Sequence, residues 1–153
     1  TDLYEYLSDE AVVKYEPYQP MTEEQCRRVA VYYTGSKDFW AVCLRDSGKV
    51  IGNVYLAEKE QRNHELGYVF NRQYHGMGYA AEAVRALLHD VFTARNAQRV
   101  SAKWNPDKIP SWRRLERLGL RREGHLRKDV YFDCDKNGAP LWQDTFLYGL
   151  LRA

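Results

Sequence analysis

Between residues 65 and 104 a strand, a glycine turn, a long amphipathic helix and a second strand follow one another, and no other stretch constrains the fold as tightly. Ala80, Val84, Leu87, Leu88 and Val91 recur at helical spacing and form a one-sided apolar stripe. Before the stripe, Glu65 to Phe70 has strand character; after it, Val100, Ala102 and Trp104 alternate with polar residues. Two strands joined through one helix pair in parallel, with a right-handed crossover. Upstream, Phe39 to Leu44 and Val50 to Ala57 are strands around the turn Asp46-Ser47-Gly48-Lys49, with a bulge expected at Gly52. The polar loop Glu58 to Asn63 then leads into the strand at Glu65, which completes an antiparallel meander.

The flanks are helical. Leu3, Leu7 and Ala11 predict one helix from Leu3 to about Val13, ended by Pro17 and Pro20. Thr22 predicts an N-cap, with Glu23 and Glu24 in the favoured first turn of a helix reaching Tyr33 and stopping near Gly35. A short helix is expected to start at Ser111, bury Leu115 and Leu118 and end at Gly119. Two last strands are expected around Lys128 to Asp133 and Asp144 to Leu151, joined by Asp135-Lys136-Asn137-Gly138. The predicted class is α+β, a mixed central sheet flanked by helices, with residues 1–153 forming a single domain.

Composition narrows the function classes. A chain of 153 residues with 44% hydrophobic and 29% charged residues is long enough for one real core and too apolar for disorder. A net charge of +2 argues against direct nucleic-acid binding through bulk charge. No apolar run approaches the ~20 residues of a membrane span, and Thr1 to Leu7 lack the order of a signal peptide. Cys26, Cys43 and Cys134 are isolated, which predicts free thiols and a cytoplasmic protein. His64, His75, His89 and His125 lack metal-ligand spacing, so no metal is expected.

The chemistry is expected in the run from Glu65 to Ala83. Gly76 and Gly78 let backbone approach a ligand, and the helix that follows offers unpaired N–H groups to an anion such as phosphate. A P-loop is excluded because Gly78-Tyr79-Ala80 lacks the Gly-Lys-Ser/Thr ending. A dinucleotide fingerprint fits poorly, because five residues separate Phe70 from Gly76 and the next strand ends Lys103-Trp104-Asn105 without an acid.

Gln73-x-x-Gly76-x-Gly78 resembles the acyl-coenzyme-A loop of the GNAT N-acetyltransferase superfamily. The run from Glu65-Leu-Gly-Tyr to Gly78-Tyr-Ala-Ala-Glu-Ala is similar to its branch of ribosomal-protein-alanine N-acetyltransferases (RimJ/RimL-like). So are Asn105-Pro-x-x-x-Pro-Ser111, Arg114-Leu-Glu-Arg-Leu-Gly119, Glu123-Gly124 and the tail Trp142-x-Asp144 with Tyr148. The resemblance spans most of residues 3–152. That family begins with a strand, which is expected to be absent from this chain, and the branch usually has Asn, touching the pantetheine arm, where Lys108 stands.

The resemblance implies direct transfer of acetyl from acetyl-CoA to a primary amine, either a protein or peptide N-terminus or a small amine. Pantetheine is then expected along the backbone of Tyr68, Val69 and Phe70, with the Val69 N–H near the thioester oxygen. The pyrophosphate is expected on His75, Gly76, Met77, Gly78, Tyr79 and Ala80, with Asn105, Lys108 and Arg114 as further coenzyme contacts. Glu65 is the expected base, through a water, and Ser111 is either the donor to the thiolate or a helix cap. Asp144 and Tyr148 are expected in the acceptor groove, and the tail strands suit a homodimer. The second reading is a non-catalytic module that binds the coenzyme or a peptide.

Overall fold

The computed structural model describes all 153 residues. Its N-terminal helical segment breaks in two, α1 (Asp2–Leu7) and α2 (Glu10–Val13), where one helix was expected. The break comes from Asp9, whose carboxylate accepts the Ala11 N–H at 3.0 Å and caps a new start. α3 (Glu23–Gly35) begins as predicted, with Thr22 and Gln25 closing a reciprocal capping box.

β1 (Phe39–Cys43), β2 (Val50–Glu58) and β3 (Asn63–Phe70) form the meander, and α4 (Tyr79–Thr93) crosses to β4 (Arg99–Trp104). α5 (Ile109–Arg117), β5 (Arg121–Val130) and β6 (Gln143–Leu151) complete the chain. The six-stranded sheet has the order β1-β2-β3-β4-β6-β5, and β3 with β4 is its parallel pair. The β1–β2 irregularity falls between Val42 and Cys43, where the register steps from Gly52 to Val50.

Two further expectations are corrected. α5 starts ahead of Ser111, because Pro110 suits a first helical turn and Lys108 holds the cap position. β5 starts at Arg121 rather than near Lys128. It is an edge strand exposed along most of its length, so no apolar alternation announces it.

The two sheet faces are packed unequally. α4 and α5 cover a large core in which Val54, Leu66, Tyr68 and Phe70 meet Val84, Leu88, Val91 and Leu115. On the other face α1 to α3 gather a smaller cluster of Tyr6, Leu7, Val12, Val13, Cys26 and Val69. Each fully buried aliphatic side chain contributes roughly 1.5–3 kcal/mol over an exposed one. β3 serves both faces, with Leu66, Tyr68 and Phe70 on the first and Glu65, Gly67 and Val69 on the second. No helix is long and apolar enough to cross a membrane.

Candidate active site

β3 keeps its antiparallel register with β2 from His64 through Phe70, but its parallel register with β4 ends at Leu66 and Ala102. β4 continues to Trp104 paired only with β6. The two parallel neighbours therefore splay apart past Leu66, and the gap-facing backbone groups of β3 have no strand partner there. Tyr68 and Trp104 close one side of this gap, their ring centroids 4.8 Å apart.

Which backbone groups face the gap follows from pairing parity. The Lys59 N–H donates to the Asn63 carbonyl at 2.7 Å, and the Asn71 N–H to the Ile51 carbonyl at 2.8 Å. In an antiparallel ladder every second residue bonds the same neighbour, so Asn63, Glu65, Gly67 and Val69 direct their backbone groups to β2. The expectation that the Val69 N–H faces the coenzyme is thereby corrected. Tyr68 and Phe70 face the gap instead, and the Phe70 carbonyl is engaged by the His75 ring at 3.0 Å.

The gap opens onto a cavity of ≈ 540 Å³ on the sheet face covered by α1 to α3. Its lining carries the carboxylates of Glu16, Glu65, Asp129 and Asp144 and the ammonium groups of Lys103 and Lys108. Its apolar side is aromatic, from Tyr15, Tyr18, Tyr33, Phe39 and Tyr55. Burial pushes the Tyr18 hydroxyl well above its ordinary range, and burial followed by the Glu16 charge raises that of Tyr33. Both hydroxyls therefore stay protonated at neutral pH, able to donate to a ligand.

Beyond β3 the chain makes a 3₁₀ turn at Arg72–Tyr74, opened by the Asn71 side chain accepting the Gln73 N–H. Gly76 (φ +77°) and Gly78 (φ +84°) then hold left-handed backbone, which β-carbon-bearing residues adopt only at a cost. A Cβ at either would meet no protein atom within 4 Å, so the space beside them is open. Gly78 sits at the N-cap of α4 without a side-chain cap, and the first N–H groups of this helix have no internal acceptor. These features fit the pyrophosphate of a coenzyme.

The remaining expected residues divide. Glu65, Tyr68, Val69, Asn105, Lys108 and Asp144 line the cavity. Lys108 crosses it to pair with Glu16 at 3.3 Å, its ammonium 5.6 Å from the Trp104 ring. Asp144 accepts the Lys128 N–H at 2.9 Å and meets His125 at 2.8 Å, contacts that hold its carboxyl below the ordinary value in that order of importance. Arg114 stands 5.9 Å from the Tyr68 ring. Ser111 lies inside α5, neither capping it nor lining the cavity, and its carbonyl accepts the Tyr68 hydroxyl at 3.3 Å. Tyr148 belongs to the opposite core face, 1% exposed, with its hydroxyl near Arg122 and Glu116, so it does not line the groove. Glu16 and Asp129 and the aromatic wall converge from separate elements, and no sequence spacing signals that; only the high aromatic content, 14%, hints at it.

The profile of the Acetyltransferase (GNAT) domain matches residues 1–121. This chain belongs to the GNAT acetyltransferase family. Uncharacterized N-acetyltransferase YnaD of Bacillus subtilis is 36% identical over 152 residues, 98% of this chain and 86% of that protein. N-acetyltransferase p20 of Bacillus licheniformis, also uncharacterized, is 30% identical over 98% of this chain and 85% of its own length. The crystal structure of a GNAT-family acetyltransferase from Bacillus anthracis superposes with a TM-score of 0.89 at 31% identity, covering 99% of this chain and 87% of that one. The acetyltransferase thus has the α+β GNAT fold with its mixed sheet, and its activity is acetyl transfer to an amine. The family uses acetyl-CoA as donor. The reading as a non-catalytic module gives way.

Proposed function

We propose that this enzyme moves the acetyl group of acetyl-CoA directly to the primary amine of a protein N-terminus or a small molecule bound in the cavity. The observation that carries this is the β3–β4 splay opening beside Glu65. The pantetheine arm runs along the gap, hydrogen-bonded to the backbone of Tyr68 and the N–H of Phe70. The pyrophosphate rests on His75, Gly76, Met77, Gly78, Tyr79 and Ala80, with Asn105, Lys108 and Arg114 beside the arm.

Glu65 accepts one proton from the ammonium through a water, leaving a nitrogen lone pair that attacks the thioester carbonyl. The Tyr68 N–H, the first gap-facing donor past the splay, stabilises the oxygen as it gains charge. The C–S bond then breaks, and the second amine proton passes to the departing sulfur. A thiol has a pKa near ~8.5, so its thiolate leaves without a dedicated side-chain acid. Ser111 is not needed, consistent with its place off the cavity wall.

The motifs shared with the ribosomal-protein-alanine branch support an N-terminal amine as acceptor. The aromatic cavity wall supports a small amine. Calorimetric titration with acetyl-CoA, with NADH as control, tests the donor site, and free-thiol release on adding amines tests the transfer. Saturable binding of the coenzyme alone, followed by amine-dependent thiol release, is the expected result; a folded protein that does not bind acetyl-CoA overturns the reading.

A further inference from the structure

Resting on that reading, we infer that the acceptor is an arylalkylamine, a primary amine joined by about two carbons to a flat aromatic ring. Tyr33 and Phe39 stack with centroids 4.0 Å apart and planes at 15°, and Phe39 meets Tyr55 at 5.1 Å. All three line the cavity. Tyr55 lies directly across from Gly67 in the β2–β3 register.

Gly67 is the second observation. Its backbone needs no glycine, since its φ is outside the left-handed region, and a Cβ there would meet only Tyr55, at 3.9 Å, ordinary contact. Glycine therefore serves the cavity and not the fold. It leaves bare strand backbone beside the Tyr55 ring, against which a flat group can lie. Glu65 shares this face two residues away, about 7 Å along the strand at ~3.3 Å per residue. A ring over Gly67 thus places an amine on a two-carbon tether near the Glu65 carboxylate and near the splay.

Charge argues for the same occupant. The lining holds Glu16, Glu65, Asp129 and Asp144 against Lys103 and Lys108, an excess of acid in a chain of net charge +2. Positive charge is attracted. A second cation gains less beside the Tyr55 ring, where the Lys59 ammonium already stands 5.8 Å away, and Glu16 is already paired with Lys108. A long polyamine is disfavoured on that ground.

The test is thiol release from acetyl-CoA with 2-phenylethylamine, n-butylamine, spermidine and an alanine-terminated peptide. The expected result is a kcat/KM for 2-phenylethylamine at least about tenfold above the others, in line with the value of burying one ring. Gly67→Leu and the milder Gly67→Ala, each checked for an unchanged melting temperature, lower the aryl-to-alkyl ratio, Leu more than Ala. Tyr55→Leu lowers it as well. Preference for spermidine or the peptide, or an equal loss for all amines in Gly67→Leu, overturns the inference while coenzyme binding by calorimetry still stands. Coenzyme binding with neither turnover nor saturable binding of 2-phenylethylamine overturns it too. Failure of coenzyme binding itself would instead strike the underlying reading.

Discussion

The two faces of the sheet are built from one set of strands, yet they are packed for different ends. The face under α4 and α5 is filled by a continuous core of buried aliphatic and aromatic residues. The face under α1 to α3 has a small cluster at one end and a ≈ 540 Å³ cavity lined by charged groups at the other. Filling one face supplies the stability that lets the other stay open. Catalysis needs a place from which protein atoms are missing, and such a place weakens a fold unless the loss is offset elsewhere.

That division breaks most visibly under a truncation on the filled face. Leu88→Ala, at a site 6% exposed, should cost about 2–5 kcal/mol in chemical denaturation and leave kcat of the folded fraction unchanged. Glu65→Gln should do the reverse, with a kcat loss of about 100-fold, ~2.7 kcal/mol in the barrier, little change in melting temperature and a flattened acid limb of the pH–rate profile. A smaller effect is expected from Lys108→Met, which keeps the stem over Trp104 but leaves Glu16 without its partner. Stability should fall by no more than ~1 kcal/mol, and the KM of a cationic amine should drop about two- to fivefold at low salt.

The smallest effect lies outside both faces, in the half-exposed Arg99–Glu123 pair. Arg99 holds the Glu123 carboxyl below its ordinary 4.5, so the pair's contribution is complete above that pH and is lost as pH falls through the lowered folded value. The stability difference between the wild type and Arg99→Ala should therefore shrink on acidification from about pH 5 to about pH 3, as followed by urea denaturation.

Much of the fold was readable from the chain. The stripe on α4, the alternation in β4 and the Thr22 cap all express local periodicity or local hydrogen bonding, and all appear where expected. The residues that misled did so for identifiable reasons. Asp9 capped a helix inside an unbroken apolar pattern, and Ser111 looked like a cap while Pro110 had already opened the turn. β5 gave no alternation because neither of its faces is deeply buried. Of the acids expected at the site, Glu65 and Asp144 both reach the cavity. Tyr148 was placed on the wrong side because its strand neighbours the cavity while its own parity points elsewhere. The Val69 amide, expected from sequence to face the gap, turns toward β2, since the β2–β3 register sets which amides face out.

The alternation of β3 has a consequence for descent. The side chains of Glu65, Gly67 and Val69 face the cavity side of the sheet, and those of Leu66, Tyr68 and Phe70 face the larger core. Substitutions at Glu65 and Gly67 reshape the cavity without touching either core cluster, so a lineage can wander among acceptors while its stability is held constant. A single-residue insertion within β3 would exchange the two roles for every strand residue beyond it. Variation in this enzyme's lineage should therefore accumulate by substitution along the strand, and length changes within the strand should be purged.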